Sequence, residues 1–461
     1  MLFFVALLVV FIVGLTTSSV AAVGFSFLIL AIGLIYCKKT KTGNPKDASN
    51  VFLVTFIIFS ILALVRIADI NIPDYNFDTL FKSGGDEDDF YEMSQIAAKQ
   101  RSFYAAVPNI TNTLLSSFTG DPISIMMAVG YHMYIGLIGF IASHFFDGNT
   151  IIVQLLGSCL FGCLLSVVIY KLLTLYLPSE KSMKYALLGV LCTAFSYYSV
   201  CLLRDIHVTF LFALTFYIIL RPYNVKNVVK LIIIILLTAS FRVWSAIFLS
   251  FFALFYFYRR FKDNKVVVTF LVFLTLVIVA VTAISLIDSA LERLLVASRN
   301  IESRTVEESG YLQLLYRLPI PIRQIAIIAS SYMTPFTAWN ELRDTNNIYH
   351  TIFKFTIVIH EFVLFLVVWL SSKWCIFNKG LKQLPDILFW LLMIVLGYLF
   401  VSASSDFTVR RTMCMYPLIY LAFVYLKENV VSKKRLKKDL FLPLSFYILG
   451  FVLFVVMNNV N

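Results

Sequence analysis

An all-α chain that crosses a membrane many times is the fold class the sequence predicts, and three observations predict it. Of the 461 residues, 60% are hydrophobic and only 14% are charged, against roughly 25% charged in ordinary soluble domains. Mean hydropathy is +0.86, and a water-soluble fold has too small an interior to hide that much apolar surface. The apolar residues also fall into runs close to the roughly 20 residues a helix needs to cross the hydrocarbon layer. Counted along the chain, these runs give about 13 crossings in a single membrane domain, with two large polar loops. The net charge of +12, from 38 basic and 26 acidic residues, lies mostly as Lys in short loops. By the positive-inside rule this is a topological signal, and it does not point to a nucleic-acid partner.

Each element follows from the placement of charge. Runs at 2–17 and 19–37 make a hairpin about Thr16-Thr17-Ser18-Ser19. Met1 to Leu15 lacks the basic start and cleavage site of a signal peptide, so it is expected to be retained as a first helix. Lys38, Lys39, Lys41 and Lys46 then place the next loop, and with it the N-terminus, in the cytoplasm. The run 51–69 exits to the outer face, where residues 69–121 carry nine acidic residues against three basic. Two apolar stretches, 123–146 and 150–176, precede the basic loop of Lys181 and Lys184. Parity allows only one of them to cross. The first, interrupted by Gly130, His132, Gly136, Gly139 and His144, is expected to lie on the outer surface as an interfacial helix. Residues 69–149 then form one extracytoplasmic unit.

Crossings at 184–203 and 206–221 are expected to hinge outside at Arg204-Asp205. The run 228–259 is basic at both ends, with Lys226 and Lys230 before it and Arg259 and Arg260 closing it, so it should be two short helices meeting at Arg242. A cation there costs about 2.5–3.5 kcal/mol unless paired or wetted, which directs Arg242 towards a cavity. A helix at 265–287 leads to the second outer loop, 288–349, which holds six Arg (293, 299, 304, 317, 323 and 343) and no Lys. Spans near 351–371, 385–403, 412–426 and 440–457 complete the chain, with inner loops at Lys373–Lys382 and Lys433–Lys438 and an outer loop ending at Arg410-Arg411. The seven Cys sit in or beside apolar runs, without disulfide or zinc spacing.

The chemistry concentrates in a few places. Asp86-Glu87-Asp88-Asp89-Phe90-Tyr91-Glu92 packs five carboxylates into seven positions, followed by a helical stretch from Met93 to Arg101. Crowded carboxylates can supply a general base and hold a divalent cation through oxygen ligands, with Asp86 and Asp88 the candidate metal ligands. The structural alternative is an acidic helix N-terminus favoured by the macrodipole. Arg204, Arg242, Arg410 and Arg411 lie at expected outer helix ends, and a guanidinium fork suits phosphate or carboxylate. Local pairing with Asp205 and snorkelling are the plain alternatives for Arg204 and for Arg410-Arg411. His360-Glu361, inside a span, is a further ionisable pair, expected to function there or to contact Arg66 or Arg242.

The order of these landmarks over residues 50–425 resembles the GT-C superfamily of lipid-linked sugar transferases, which includes lipid A aminoarabinose transferases and protein O-mannosyltransferases. The family's acidic motif with a following aromatic in the first outer loop is matched by Asp86-Glu87-Asp88-Asp89-Phe90-Tyr91. Its second acidic position is matched by Asp205, its phosphate-contacting basic residue by Arg242, and its late basic position by Arg410-Arg411 before Tyr416-Pro417. The resemblance does not extend to the large C-terminal soluble domain that some members carry. Wzy-type O-antigen and capsule polymerases are similar in size, span count and outer-loop Arg content.

The resemblance implies transfer of a sugar or oligosaccharide from a polyprenyl-(di)phosphate donor to a glycan or lipid-linked acceptor, on the outer face of a bacterial inner membrane. Asp86, Glu87, Asp88 and Asp205 would be the catalytic candidates, with Arg204, Arg242, Arg410, Arg411 and Tyr91 on the substrate. Attack opposite a phosphate leaving group inverts the anomeric carbon, and Mg or Mn would be the metal if one bridges the carboxylates. A polysaccharide flippase is the rival from another class, and it would spread its charges through the spans instead of gathering them in two outer loops.

Overall fold

The computed structural model describes residues 1–70, 86–107, 129–261, 263, 318–319, 321–333, 348–377, 380–403 and 409–459. Among them every regular element is a helix. The expected span at 265–287 and most of the second polar loop lie outside the described residues.

The N-terminal hairpin is α1 (Leu2–Thr17) and α2 (Val20–Lys38). Ser18 takes the left-handed turn at φ 51°, and the Ser19 hydroxyl accepts from the Ala22 N–H. Asp147, from far along the chain, completes the cap: its carboxylate accepts the Val20 and Ala21 N–H groups at 2.8 and 2.7 Å. Helix α3 (Pro45–Ile70) opens on a proline, whose missing N–H costs nothing at the first helical position. Helix α4 (Asp86–Gln100) begins at the acidic cluster itself, seven residues earlier than the stretch from Met93, because four carboxylates in its first turn complement the helix dipole. After a 3₁₀ turn (Phe103–Ala106) come α5 (Val129–Phe145) and α6 (Ile151–Leu173).

Helices α2, α3 and α6 are long and apolar enough to cross a membrane, and α6 is the most enclosed of the three, with 83% of its apolar window buried. The Thr55 and Ser166 hydroxyls hydrogen-bond across α3 and α6 at 3.0 Å. Next along the chain come α7 (Ser179–Leu191), α8 (Ala194–Tyr198), α9 (Asp205–Ile219), α10 (Val225–Phe241) and α11 (Val243–Phe261). The C-terminal part supplies α12 (Ile322–Met333), α13 (Ile348–Phe377), α14 (Asp386–Ser402), α15 (Val409–Thr412), α16 (Tyr416–Asn429) and α17 (Lys433–Asn459). The run 228–259 breaks at Arg242, in extended backbone at φ −161°.

Two expectations need correction. The stretch 184–203 is not one helix: α7 stops at Leu191, a single turn of α8 follows, and residues 199–204 leave helical geometry. Hydroxyls of Thr193, Ser196 and Ser199 bond nearby backbone carbonyls, at 2.9, 2.8 and 2.5 Å for the shortest of each. These side chains compete with the helical ladder at the break. The basic stretch Lys433–Lys438 is not a loop but the first turns of α17, capped by the Ser432 hydroxyl accepting from the Arg435 N–H at 3.3 Å.

Helices α3, α6 and α9 share two ends of opposite chemistry. One end joins the start of α6 and α9 to the finish of α3 and carries the acidic cluster. At the other, the Asn44 N–H donates to the Tyr170 hydroxyl at 2.9 Å, and Thr42 bonds Tyr217. The 23 residues of α6 separate the ends by about 34 Å at 1.5 Å per residue.

Helix α5 lies against α4 and the 3₁₀ turn on a glycine face. A Cβ on Gly136 would stand 2.2 Å from the Phe103 carbonyl oxygen and 2.7 Å from the Ala106 Cβ. Gly136→Ala is therefore expected to cost about 1–3 kcal/mol through overpacking, read as a lower melting temperature of the detergent-purified chain. Gly397→Ala, whose Cβ meets nothing within 4 Å, should melt like wild type.

Candidate functional site

Asp205 is the first residue of α9, and its side chain is 0% exposed. A carboxylate so enclosed needs opposite charge at close range. Its Oδ1 takes Nη2 of Arg242 at 2.5 Å, from the α10–α11 break, and its Oδ2 takes Nε of Arg410 at 2.6 Å, from α15. Arg410 then reaches outwards, with Nη2 on Asp86 Oδ2 at 2.7 Å. Asp86 is 56% exposed and Arg410 29%, so the chain of charges runs from a sealed carboxylate to an open one. Four residues spread over 325 positions of sequence meet in one network.

Arg204, just before Asp205, donates from Nη1 to the Phe241 carbonyl at 3.3 Å, at the end of α10. Burial, and then the neighbouring Arg242, push the Arg204 guanidinium down to about 10. For Arg410 burial works in the same direction, but Asp205 and Asp86 outweigh it and hold the guanidinium above its usual range. Arg204, Arg242 and Arg410 against Asp86 and Asp205 leave a net charge of +1. An anion brought to this cluster would relieve the mutual repulsion of the three guanidiniums.

Glu87 turns the other way. Neighbours on a helix project about 100° apart, and Glu87 points into the bundle. There its Oε2 meets Arg66 Nη2 at 2.7 Å, with both side chains buried. Its Oε1 accepts the Leu202 N–H at 2.6 Å, and Arg66 Nη1 lies 2.9 Å from Cys201 Sγ. This pair satisfies the unwound segment between α8 and α9. Glu87 thus serves the structure, Asp205 holds arginines, and Asp86 presents an open carboxylate to the network.

The remaining sequence-predicted residues fall around this core. Asp88 is half-buried and Asp89 exposed. Asp86 and Asp88, two residues apart on α4, project about 200° from one another and do not converge as metal ligands. Among the described residues no group of three or more His, Cys, Asp or Glu is placed to hold a metal. Tyr91 is half-buried beside Gln95, where burial pushes its phenol up. Arg411 is exposed, and its carbonyl accepts from the Tyr398 hydroxyl at 2.8 Å. His360 sits between Phe195 and Tyr416 with ring centroids 6.2 and 5.0 Å away, while the Glu361 side chain lies outside the described set. Of the six second-loop arginines, Arg323 is described, on α12; the other five lie outside the described residues.

Sequence reasoning did not select Arg66, although a lone cation in an apolar run is its signal. Nor did it find the buried ring cluster beside Asp205, where His207 lies 5.3, 5.0 and 4.3 Å from Tyr131, Tyr134 and Phe161. Aromatic residues are too common in this chain for those to stand out.

Set against known families, curated proteins and solved structures, the chain matches no family model, no curated protein and no solved structure.

Removing one partner of a buried ion pair costs about 3–5 kcal/mol. Glu87→Gln is expected to lower the melting temperature sharply by stranding Arg66. Adding Arg66→Met should restore part of it, since Gln can still accept the Leu202 N–H. Additive losses in a double-mutant cycle would show the two residues to be independent.

Proposed function

We propose that the chain is a bacterial inner-membrane glycosyltransferase of GT-C type, with about 13 crossings and a cytoplasmic N-terminus, acting on the outer face. It transfers a sugar or oligosaccharide from a polyprenyl-(di)phosphate carrier to a glycan or lipid-linked acceptor during surface polysaccharide assembly. One observation carries the reading: Arg410 bridges an open carboxylate, Asp86, to a sealed one, Asp205, which also holds Arg242. A proton acceptor and a cation-rich cradle thus stand side by side at one end of an apolar bundle. A flippase would need charges along a path through the spans, and the gathering of Asp86, Asp205, Arg242 and Arg410 into one network favours an enzyme over that rival.

The chemistry follows from the two kinds of group. The acceptor hydroxyl oxygen attacks the anomeric carbon, the bond from that carbon to the carrier phosphate oxygen breaks, and the electron pair leaves with the phosphate. Asp86 takes the hydroxyl proton, a role worth roughly 10² to 10⁴ in rate. Arg242 and Arg410 stabilise the charge gathering on the departing phosphate. Because Arg410 already holds Asp86, a phosphate oxygen arriving at Arg410 competes with that carboxylate and frees it to act as base only when donor is bound. Asp205 keeps both guanidiniums in place without touching substrate. Attack from the face opposite the phosphate inverts the sugar carbon.

The test is the surface polysaccharide ladder from a strain lacking this gene, complemented at matched protein levels. Asp86→Asn is expected to lower transfer by about 10² to 10⁴ and Arg242→Ala by about 10² to 10³, while Arg411→Ala stays near wild type. Loss of long chains with a single repeat retained identifies a Wzy-type polymerase, and altered mobility at unchanged length identifies a side-branch transferase. Normal glycans in the Asp86 and Arg242 variants would overturn the reading.

A further inference from the structure

The end of the bundle opposite Asp86 holds a second cationic cluster that the proposed transfer does not use. Lys171, in the last turn of α6, is only 5% exposed. Its ammonium lies 3.6 Å from the centre of the Tyr36 ring, on α2. Arg221, half-buried just beyond α9, stands 5.3 Å from the centre of the Tyr217 ring, and Tyr217 is tied to the α2–α3 loop through Thr42. The Cys37 thiol also lies near the Lys171 ammonium, and Arg221, on the neighbouring helix end, adds a weaker repulsion. Among the described residues no carboxylate lies within ion-pair reach of either. Arg66 and Arg242, by contrast, each hold a carboxylate, Glu87 and Asp205.

An enclosed ammonium facing a second cation is costly unless an anion joins them, and an aromatic ring face offsets only part of that cost. The surrounding surface concentrates anions: Lys38, Lys39, Lys41 and Lys46 are all exposed on the adjoining turn. We propose that Lys171 and Arg221, floored by Tyr36 and Tyr217, form a binding site for a phosphate group at the basic end of α2, α6 and α9. The guanidinium fork and the ammonium would each take one phosphate oxygen. Both a phospholipid headgroup and free inorganic phosphate carry that chemistry, and basic clusters at the end of a membrane helix favour anionic headgroups.

The experiment uses the detergent-purified full chain. Retention of short-chain phosphatidylglycerol against phosphatidylcholine is read by native mass spectrometry, and the response to inorganic phosphate by thermal melting. Wild type is expected to retain phosphatidylglycerol at least fivefold better than Lys171→Met or Arg221→Gln, with Lys184→Ala, on the nearby surface, as the unchanged control. A melting shift with inorganic phosphate that both variants lose, without lipid preference, supports the same site with free phosphate as its ligand. Equal lipid retention and equal phosphate response in wild type and in Arg221→Gln overturn the proposal. Arg221 is half-buried at a helix end, so that variant decides the matter even where Lys171→Met fails to fold. Neither readout involves sugar transfer, so failure here and failure of the transferase reading are distinct.

Discussion

Burying one carboxylate organises the acidic end of this molecule. Asp205 has no exposed side-chain surface, so both of its oxygens must find cations. They find them on elements that are otherwise unrelated in sequence: the break between α10 and α11 and the short helix α15. An apolar bundle offers few directional forces, since neighbouring helices can slide over one another with little loss of contact. Two short charge-assisted bonds to a single residue remove that freedom, because a shift of either arginine leaves a bare charge behind.

The second pair, Arg66 with Glu87, does the same for the loop helix. Asp86 and Glu87 are adjacent, yet about 100° of helical rotation gives them opposite fates. Glu87 anchors α4 to α3 and to the non-helical segment 199–204, while Asp86 is left at the open edge on Arg410. Anchoring one carboxylate is what holds its neighbour in place. A crowded acidic sequence therefore resolves into distinct roles through helix geometry.

Part of this was legible because charge is scarce in the chain, so each ionisable residue in an apolar run carries information. The break at Arg242 followed from two basic ends and one interior cation, but its pairing did not: the sequence directed Arg242 to a cavity and offered Asp205 to its neighbour Arg204, whereas Asp205 holds Arg242 and Arg410. The break after α7 was not legible: residues 185–203 carry no charge and no proline, and the group that accepts the unwound backbone at Leu202, Glu87, lies 115 positions away. Local sequence cannot announce a hydrogen bond whose partner arrives from another helix. The start of α17 in a basic stretch was hidden for a different reason, since the same lysines that mark a membrane side are good helix formers.

The two ends of α3, α6 and α9 differ in how they treat charge, and the difference has a direction. At the acidic end Arg66, Arg242 and Arg410 each meet a carboxylate, and the surplus of one positive charge is shared among Arg204, Arg242 and Arg410. At the basic end Lys171 and Arg221 face aromatic rings and one another. Self-contained ion pairs keep their geometry whether or not a ligand is present, whereas cations set on ring faces stay under electrostatic strain until an anion comes. On the two proposed readings the acidic end is preorganised, as a site of chemistry requires, and the basic end gains by binding. Since α6 separates the two by more than the thickness of a hydrocarbon layer, an anion at one end and a reacting phosphate at the other would act on the same three helices without meeting.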